Sequence, residues 1–461
     1  MDIEIIGRLK KICGDDFVVS DLSKIGNYLY DETEEYLKPE ACTDVVVVKP
    51  KDASEISEIV KYANEILMPV IPRGGGTGLN GAVIPDRPGI ILSMERLSKD
   101  IEVDGKNLMV IADSGVTLAQ LNDELKKTKG LFFPIHPGDE GAQLGGMVAE
   151  NAGGVSAVKH GIMRNHVKGL EVVLPTGEIV TLGGKLIKNN TGYDLLHMMV
   201  GSEGTLGIIT KVILKLYAKQ NHTGTLLVSF DSRQDASDTV PAILQSGITP
   251  LAIEYVEKNV IEEAARHMGL VWPAKEGIVD LMIILEEGTE NDLFAKSEAI
   301  VEIAEKFNAV DSIIAETAKD QRNILQIRSN VYTAFIEHAI DGMDISVPPA
   351  SVPYFVRDLD EIAAKYNTTL PCVGHIGDGN IHNFVMKENG EKPSWFEDIR
   401  LDIYKAAMKY GGAITAEHGT GKTRKSYMPL QYTAREIEIM KGVKRAFDPN
   451  GILNPGTIVD L

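Results

Sequence analysis

Residues 74 to 81 read Gly-Gly-Gly-Thr-Gly-Leu-Asn-Gly, five glycines in eight positions. A helix or strand interior does not tolerate that density, because each glycine loses the most backbone entropy on folding and offers no side chain to pack. Such a run suits a chain that bends sharply, or lies close against a ligand with its N–H groups converging on an anion. The pattern recurs in Gly145-Gly146-Met-Val-Ala-Glu-Asn151-Ala-Gly153-Gly154, in Lys159-His160-Gly161, in Thr191-Gly-Tyr-Asp194 and in Gly201-Ser-Glu-Gly204-Thr-Leu-Gly207-Ile208-Ile209-Thr210. Neither a collagen period nor a linker composition accompanies these glycines, so they imply backbone lying along an extended, phosphate-bearing ligand.

A chain of 461 residues exceeds what one core organises, so two or three domains are expected. With 47 Lys plus Arg against 66 Asp plus Glu, the formal charge of −19 repels nucleic acid and anionic lipid. A small anionic substrate then needs a local cluster of positive charge. The opening Met1-Asp-Ile-Glu-Ile-Ile-Gly-Arg-Leu-Lys has no basic n-region or apolar core of a signal peptide, and no stretch approaches the ~20 apolar residues of a membrane span. A cytoplasmic protein without membrane association is the expectation. Cys13, Cys42 and Cys372 are far apart, so they neither ligate a cubane iron–sulfur cluster alone nor build a disulfide framework.

Asp44-Val45-Val46-Val47-Val48 reads as a buried strand, and Asp52-x-x-Glu55 as a capping box opening a helix with Ile56, Ile59, Val60, Ala63 and Leu67 on one face. Pro69 to Pro72 returns as a strand, completing β-α-β. A second helix runs from its N-cap Thr117 through Leu118, Leu121 and Leu125 to a stop at Gly130. The region to about residue 218 is thus α/β. Beyond it, Leu226 to Phe230 and Asp280 to Leu285 read as strands and Asn291 to Phe307 as an amphipathic helix, which suggests a second, α+β domain.

Two motifs fail their context. Gly76-Thr-Gly78-Leu-Asn-Gly81 matches the dinucleotide fingerprint, but the two prolines of Ala82-Val-Ile-Pro-Asp-Arg-Pro-Gly89 prevent the helix whose N-terminus would hold a pyrophosphate. Ala416-Glu-His-Gly-Thr-Gly421-Lys422-Thr423 has alanine where a P-loop needs its first glycine, and Pro429 interrupts the helix that must follow.

Gly374-His375-Ile-Gly-Asp-Gly-Asn-Ile-His382 places two of only ten histidines around a turn. With Asp378-Gly379 as the central pair of a tight hairpin, His375 faces His382 on one side of the ladder, their Cβ atoms ~5 Å apart. A pair of half-buried strand histidines is the bland alternative. Gly411 to Gly419 adds an apolar strand ending in Glu417-His418, and two histidines with one carboxylate are a complete protein ligand set for catalytic Zn²⁺ or Fe²⁺. Arg328, within Ile324 to Tyr332, is the candidate for a substrate carboxylate, since a guanidinium fork matches it bidentately. An ordinary surface arginine on a helix is the alternative there.

Taken together, these motifs resemble the vanillyl-alcohol oxidase superfamily, in the branch of FAD-linked D-lactate dehydrogenases and glycolate oxidase catalytic subunits, over nearly the whole chain. The resemblance implies an α+β fold: a two-subdomain FAD-binding domain over 1–218, a cap domain for substrate and metal over 219–425, and a segment over 426–461 that returns to the FAD domain. It implies FAD held by Arg73, Gly74, Gly75, Gly76, Thr77 and Gly78, by Pro137 and Gly138, and by Gly145, Gly146, Asn151, Gly153, Gly154, His160 and Gly161. Gly204, Ile208, Ile209 and Asn454 complete that set. The family pattern assigns His375, His382 and Glu417 to the metal and His418 to catalysis, and it strengthens Arg328 as the substrate arginine.

The activity implied is oxidation of a D-2-hydroxy acid, D-lactate to pyruvate, with hydride transfer to the flavin. Near Gly342-Met-Asp344-Ile-Ser-Val-Pro348 some relatives carry a lysine that contacts larger diacids; glycine here favours a small monoacid. With no cluster motif, haem motif or membrane segment, the electrons need a partner protein. The resemblance points to an electron-transferring flavoprotein, an electron-bifurcating arrangement in which reduced ferredoxin helps lactate reduce NAD⁺. Rivals are glycolate or 2-hydroxyglutarate dehydrogenases with iron–sulfur or cytochrome acceptors, aromatic alcohol oxidases and alkyl-ether lipid synthases of the same fold, and a non-catalytic flavoprotein subunit, against which the intact Glu417-His418 and hairpin histidines argue.

Members that bind FAD covalently often have histidine where this chain has Thr77, and threonine cannot form that bond. Acid precipitation of the purified protein is therefore expected to leave a yellow supernatant and a colourless pellet; flavin retained in the pellet contradicts this.

Overall fold

Four consecutive valines make Val45–Val48 a strand buried on both faces, and its surroundings explain why. In the computed structural model, which describes residues 1–315 and 317–461, the strand lies in the first of two units. Unit one comprises Met1–Gly153, Ile162–Lys219 and Glu417–Leu461, and unit two Gly154–Gly161 and Gln220–Ala416.

In unit one Val45–Val48 pairs in parallel with Gly89–Ser93, which pairs in parallel with Val70–Arg73, while Val18–Val19 adds an antiparallel edge. The expected β-α-β is present, yet its two strands are not neighbours, because Gly89–Ser93 lies between them. All three are apolar on both faces, and such a pattern reports burial without reporting order. The helix Ala53–Glu65 is capped by Asp52, which accepts from the Glu55 N–H. The Glu55 carboxylate reaches the N–H of Lys51 instead of that of Asp52, so the reciprocal half of the expected capping box is displaced by one residue. Ile56, Ile59, Val60 and Ala63 are buried, but Leu67 is exposed beyond the helix at φ +53°.

A second sheet, fully antiparallel, orders its strands Ile101–Asp104, Met109–Asp113, Ile208–Lys215, Val167–Val173 and Ile179–Gly183. Leu118, Leu121 and Leu125 of the helix Leu118–Lys126, with its Thr117–Gln120 capping box, join Val110, Val172 and Val212 in its core. The helix Leu144–Glu150 joins them through Leu144, Met147 and Val148. Residues after the helix Ala434–Phe447 run along Val70–Arg73: the Val70 N–H donates to Ile452 and the Asn454 N–H to Val70. No helix forms between Ala82 and Pro88, as the two prolines dictate. Among the described residues no helix is long and apolar enough to cross a membrane.

Unit two is built on seven antiparallel strands in the order Ala309–Ala315, His222–Phe230, Val279–Glu287, Ala252–Glu257, Cys372–Gly374, Asn380–Met386 and Ala339–Ser346. Helices Lys258–His267, Ala318–Ser329 and Val331–Phe335 cover Leu227, Met282 and Ile284 of the sheet. The expected amphipathic helix runs Glu290–Glu305, capped by Thr289.

Two local expectations are corrected. The hairpin pairs Val373 with His382 and Cys372 with Asn383, so His375 does not face His382 across the ladder. Instead His375 opens the turn, its carbonyl accepting from the N–H groups of Asp378 and Asn380. Two extra residues enter the loop, where Gly377 closes against the Ile253 and Val158 side chains and Gly379 against the Val347 backbone. Gly411 to Gly419 is not a strand either. Only Ala413 bridges to Ser346, and Glu417 and His418 lie in a bend, because Gly411 turns the chain at φ +70° after the helix Phe396–Lys409.

Gly379 has φ +88°, and a Cβ there would lie 1.9 Å from the Val347 carbonyl oxygen. Gly379→Ala is expected to lower stability by about 2 to 4 kcal/mol, read as a lower denaturant midpoint, since strain and overlap add at one site.

Candidate flavin and hydroxy-acid site

In unit one, Gly74–Gly78 leave the end of Val70–Arg73 and wall a cleft of about 840 Å³ together with Pro137, Gly146, Gly153, Glu417 and His418. A second cavity of about 540 Å³ is lined by Gly145, Gly204, Ile208, Ile209 and Asn454, and shares Gly74, Gln143, Gly146 and Glu150 with the first. Close packing explains the glycines: a Cβ on Gly145 would lie 2.6 Å from Ser114, and one on Gly153 would lie 2.5 Å from the Glu417 carboxylate. Arg73 folds beneath the loop, donating to the carbonyls of Asn27 and Tyr30 at 3.0 Å each, and a Cβ on Gly76 would strike its guanidinium at 2.1 Å. Arg73 thus supports the loop from below while also lining the second cavity.

Not every residue of the expected cofactor set stands in that cleft. Asn151 caps the helix Leu144–Glu150 in the left-handed region and accepts from the Arg164 N–H. Gly138 turns the chain beside Pro137 at φ +95°. Gly154, His160 and Gly161 belong to unit two, where His160 Nε2 lies 3.4 Å from Glu286.

The cleft fits a long cofactor with hydrogen-bonding groups. Ser114 Oγ, Gln143 Oε1 and Asn454 Oδ1 are buried in its walls with no hydrogen-bond partner among the described residues. Each unsatisfied group costs about 1 to 3 kcal/mol. The two amide oxygens require N–H or O–H donors, and the glycine loops offer room for backbone to meet phosphate. FAD supplies both kinds of group.

Two carboxyls at this cleft escaped the sequence reading. Glu150 Oε2 accepts from Asn80 Nδ2 at 2.8 Å; burial, and then the charge of Glu203, hold its pKa well above the carboxylate range. Glu203 accepts from the N–H groups of Thr420 and Gly421 at 2.7 Å each. Its burial pushes it up to about 7, opposed by those two donors and by the charges of Arg424 and Lys422. With both oxygens of Glu203 engaged by fixed donors, Glu150 is the member that holds the proton. An acid in a glycine-dense stretch, as in Ser202-Glu203-Gly204, was the available signal.

In unit two a buried carboxylate gathers the candidates. Glu254 is 0 % exposed on the strand Ala252–Glu257, with His375 Nδ1 2.7 Å from one oxygen and the Arg328 guanidinium 2.7 Å from the other. Arg328 is thus a largely buried partner and not a surface arginine. His382 Nδ1 is 3.8 Å from Asp344, which accepts from Thr415 Oγ1 and the Ala416 N–H at 2.8 Å. Despite the shifted register the two imidazoles stand edge to face, 5.7 Å between centroids. A carboxylate hydrogen-bonded behind Nδ1, as Glu254 is behind His375, is the arrangement found behind metal-ligating histidines. Glu254 and Asp344 were also missed; an acid inside a fully buried strand is the signal that marks both. A Cβ on Gly342 would lie 2.9 Å from the Tyr332 ring, so this ring occupies the space that a longer side chain would need.

A glycine-walled cleft in unit one and, within unit two, a sheet bearing buried arginine, histidine and carboxylate groups are the features of a flavoprotein oxidoreductase, and comparison with known proteins agrees. Residues 45–183 match the family model of an FAD binding domain, and residues 219–458 that of FAD linked oxidases, C-terminal domain. A D-lactate dehydrogenase of Archaeoglobus fulgidus is 40% identical, over 96% of this chain and 99% of its own. A glycolate oxidase subunit of Bacillus subtilis is 34% identical, over 93% and 91%. In fold, the chain is similar to p-cresol methylhydroxylase, with TM-score 0.78 at 18% identity, covering 99% of this chain and 96% of that one. The chain belongs to the FAD-linked oxidases of the vanillyl-alcohol oxidase superfamily.

Because the folded state binds the Glu150 and Glu203 protons more tightly than the unfolded chain, their contribution is full below the ordinary carboxylate range and is lost as pH rises through about 7 and beyond. Between pH 5 and 8 the melting temperature of the wild type is expected to fall about 3 °C or more further than that of Glu150→Gln. Parallel melting curves contradict the assignment.

Proposed function

We propose that the protein oxidises a small D-2-hydroxy monoacid, D-lactate to pyruvate. The observation that carries the reading is the Arg328–Glu254–His375 group beside a sheet where Gly342 and Tyr332 leave no lysine for a second carboxylate. The named D-lactate dehydrogenase relative supports it. Arg328 binds the substrate carboxylate, releasing part of its hold on Glu254, and its planar fork orients C2. Oxidation removes a hydride from C2 and a proton from the hydroxyl, forming the C2 carbonyl. His418 takes that proton, a contribution worth roughly 10²- to 10⁴-fold. FAD, when bound, supplies the two-electron acceptor.

His375, His382 and Glu417 are the ligand set for a divalent ion, Fe²⁺ or Zn²⁺, and the Glu254 carboxylate behind His375 Nδ1 suits that donor chemistry. Such an ion would acidify the substrate hydroxyl. Glu254 keeps the His375 ring oriented in either state. Electrons leave to an electron-transferring flavoprotein, the partner that the motif resemblance favours.

Anaerobic mixing with D-lactate is expected to bleach the flavin faster than L-lactate, glycolate or D-2-hydroxyglutarate does. His418→Asn should retain FAD and lose about 10²-fold or more in flavin reduction, and His375→Ala, His382→Ala or Glu417→Gln should lose bound metal with turnover. Fastest bleaching by a diacid, or normal reduction in His418→Asn, overturns the reading. Untagged purification from the native host tests the partner: recovery as a lone chain at every ionic strength removes the flavoprotein acceptor.

A further inference from the structure

Glu203 has φ +49°, a left-handed backbone that a side-chain-bearing residue adopts only when its surroundings impose it, and it is buried. The surroundings are specific. Its N–H donates to the Ala149 carbonyl at 2.9 Å and its own carbonyl accepts from Asn454 Nδ2 at 2.7 Å. That pinned backbone aims the carboxylate at two successive N–H groups, those of Thr420 and Gly421, which follow His418-Gly419 directly.

The bend itself has no freedom to relax. A Cβ on Gly419, at φ +88°, would lie 2.5 Å from Asn80 Nδ2, 2.8 Å from Glu150 Oε2 and 3.0 Å from Glu203 Oε1. Beyond it the N–H groups of Lys422 and Thr423 donate to the Asn80 carbonyl, so the chain after His418 is fastened to the end of the glycine-rich loop. His418 lines the cleft that this loop walls.

We infer that Glu203 is a positioning residue for His418: by gripping the Thr420 and Gly421 amides it fixes the bend that aims the imidazole into the flavin cleft. The inference rests on the proposed role of His418 as base. Glu203 has no contact with the hydroxy acid in this account and changes only where His418 points. Glutamine at 203 keeps the shape but places an amide NH₂ against one of two N–H donors, so one grip is lost.

The test is a double-mutant cycle on the FAD-loaded protein, with Glu203→Gln, His418→Asn and the pair, reading anaerobic flavin reduction by D-lactate, KM, FAD content and melting temperature. Hydrogen exchange at Thr420 and Gly421, followed by mass spectrometry on FAD-free protein, reads the grip itself. Glu203→Gln is expected to lower the reduction rate 10- to 100-fold with KM within threefold, to speed exchange at the two amides, and to cost nothing further in the His418→Asn background. An equal loss in both backgrounds, or a wild-type rate in Glu203→Gln, overturns the inference. A wild-type rate in His418→Asn overturns the base assignment, and this inference with it. Should Glu203→Gln fail to hold FAD, Gly419→Ala disturbs the same bend from the opposite side with Glu203 intact. It must show the same rate-selective loss that vanishes without His418; a fully active Gly419→Ala sinks the idea.

Discussion

Three segments of unit one meet at the Glu203 residue: the end of the helix Leu144–Glu150 through Ala149, the returning C-terminal stretch through Asn454, and the bend after His418 through Thr420 and Gly421. A lone buried carboxylate costs several kcal/mol in desolvation, so it persists only where fixed donors surround it. Here two backbone N–H groups supply that compensation, and the nearby Arg424 and Lys422 charges add to it. Once the carboxylate is placed, the bend carrying His418, the helix bearing the cleft glycines and the strap after the last helix are all referred to one point.

Unit two repeats the principle with a different carboxylate. Glu254, fully buried in a strand, holds an arginine from the helix Ala318–Ser329 and a histidine from the hairpin turn. Buried acids thus order the chemistry-bearing side chains of each unit, and each depends on a rigid sheet or backbone cradle to keep its partners in reach. Low local dielectric makes such groups unforgiving: a missing partner is costly, and the geometry is correspondingly exact in only one arrangement.

Much of the local structure was legible. The Thr117 cap, the apolar face Ile56–Ile59–Val60–Ala63, and the absence of a helix after Gly81 follow from side-chain and proline chemistry acting over a few residues. Leu67 was misread because it has the right spacing but is itself the left-handed residue just past the end of its helix. The hairpin register was misread because a two-residue turn is only one solution for Gly-Asp-Gly-Asn. The chain takes a longer loop that lets Gly379 press against Val347. Even so, the two histidines come together, since strand and turn place them on adjacent edges.

From its amino acids alone, this chain is committed to a backbone-walled cleft, because no other use accommodates so many glycines, and to histidine, carboxylate and arginine chemistry, because those side chains recur in tight motifs. Only the tertiary structure decided that Gly89–Ser93 separates the first two strands, that Arg73 lies under its loop, and that Glu203 reaches a bend 217 residues away. Helix caps and apolar periodicities write themselves into neighbouring residues, whereas a bond between distant buried polar groups leaves no local period, and so exists only once the chain has packed.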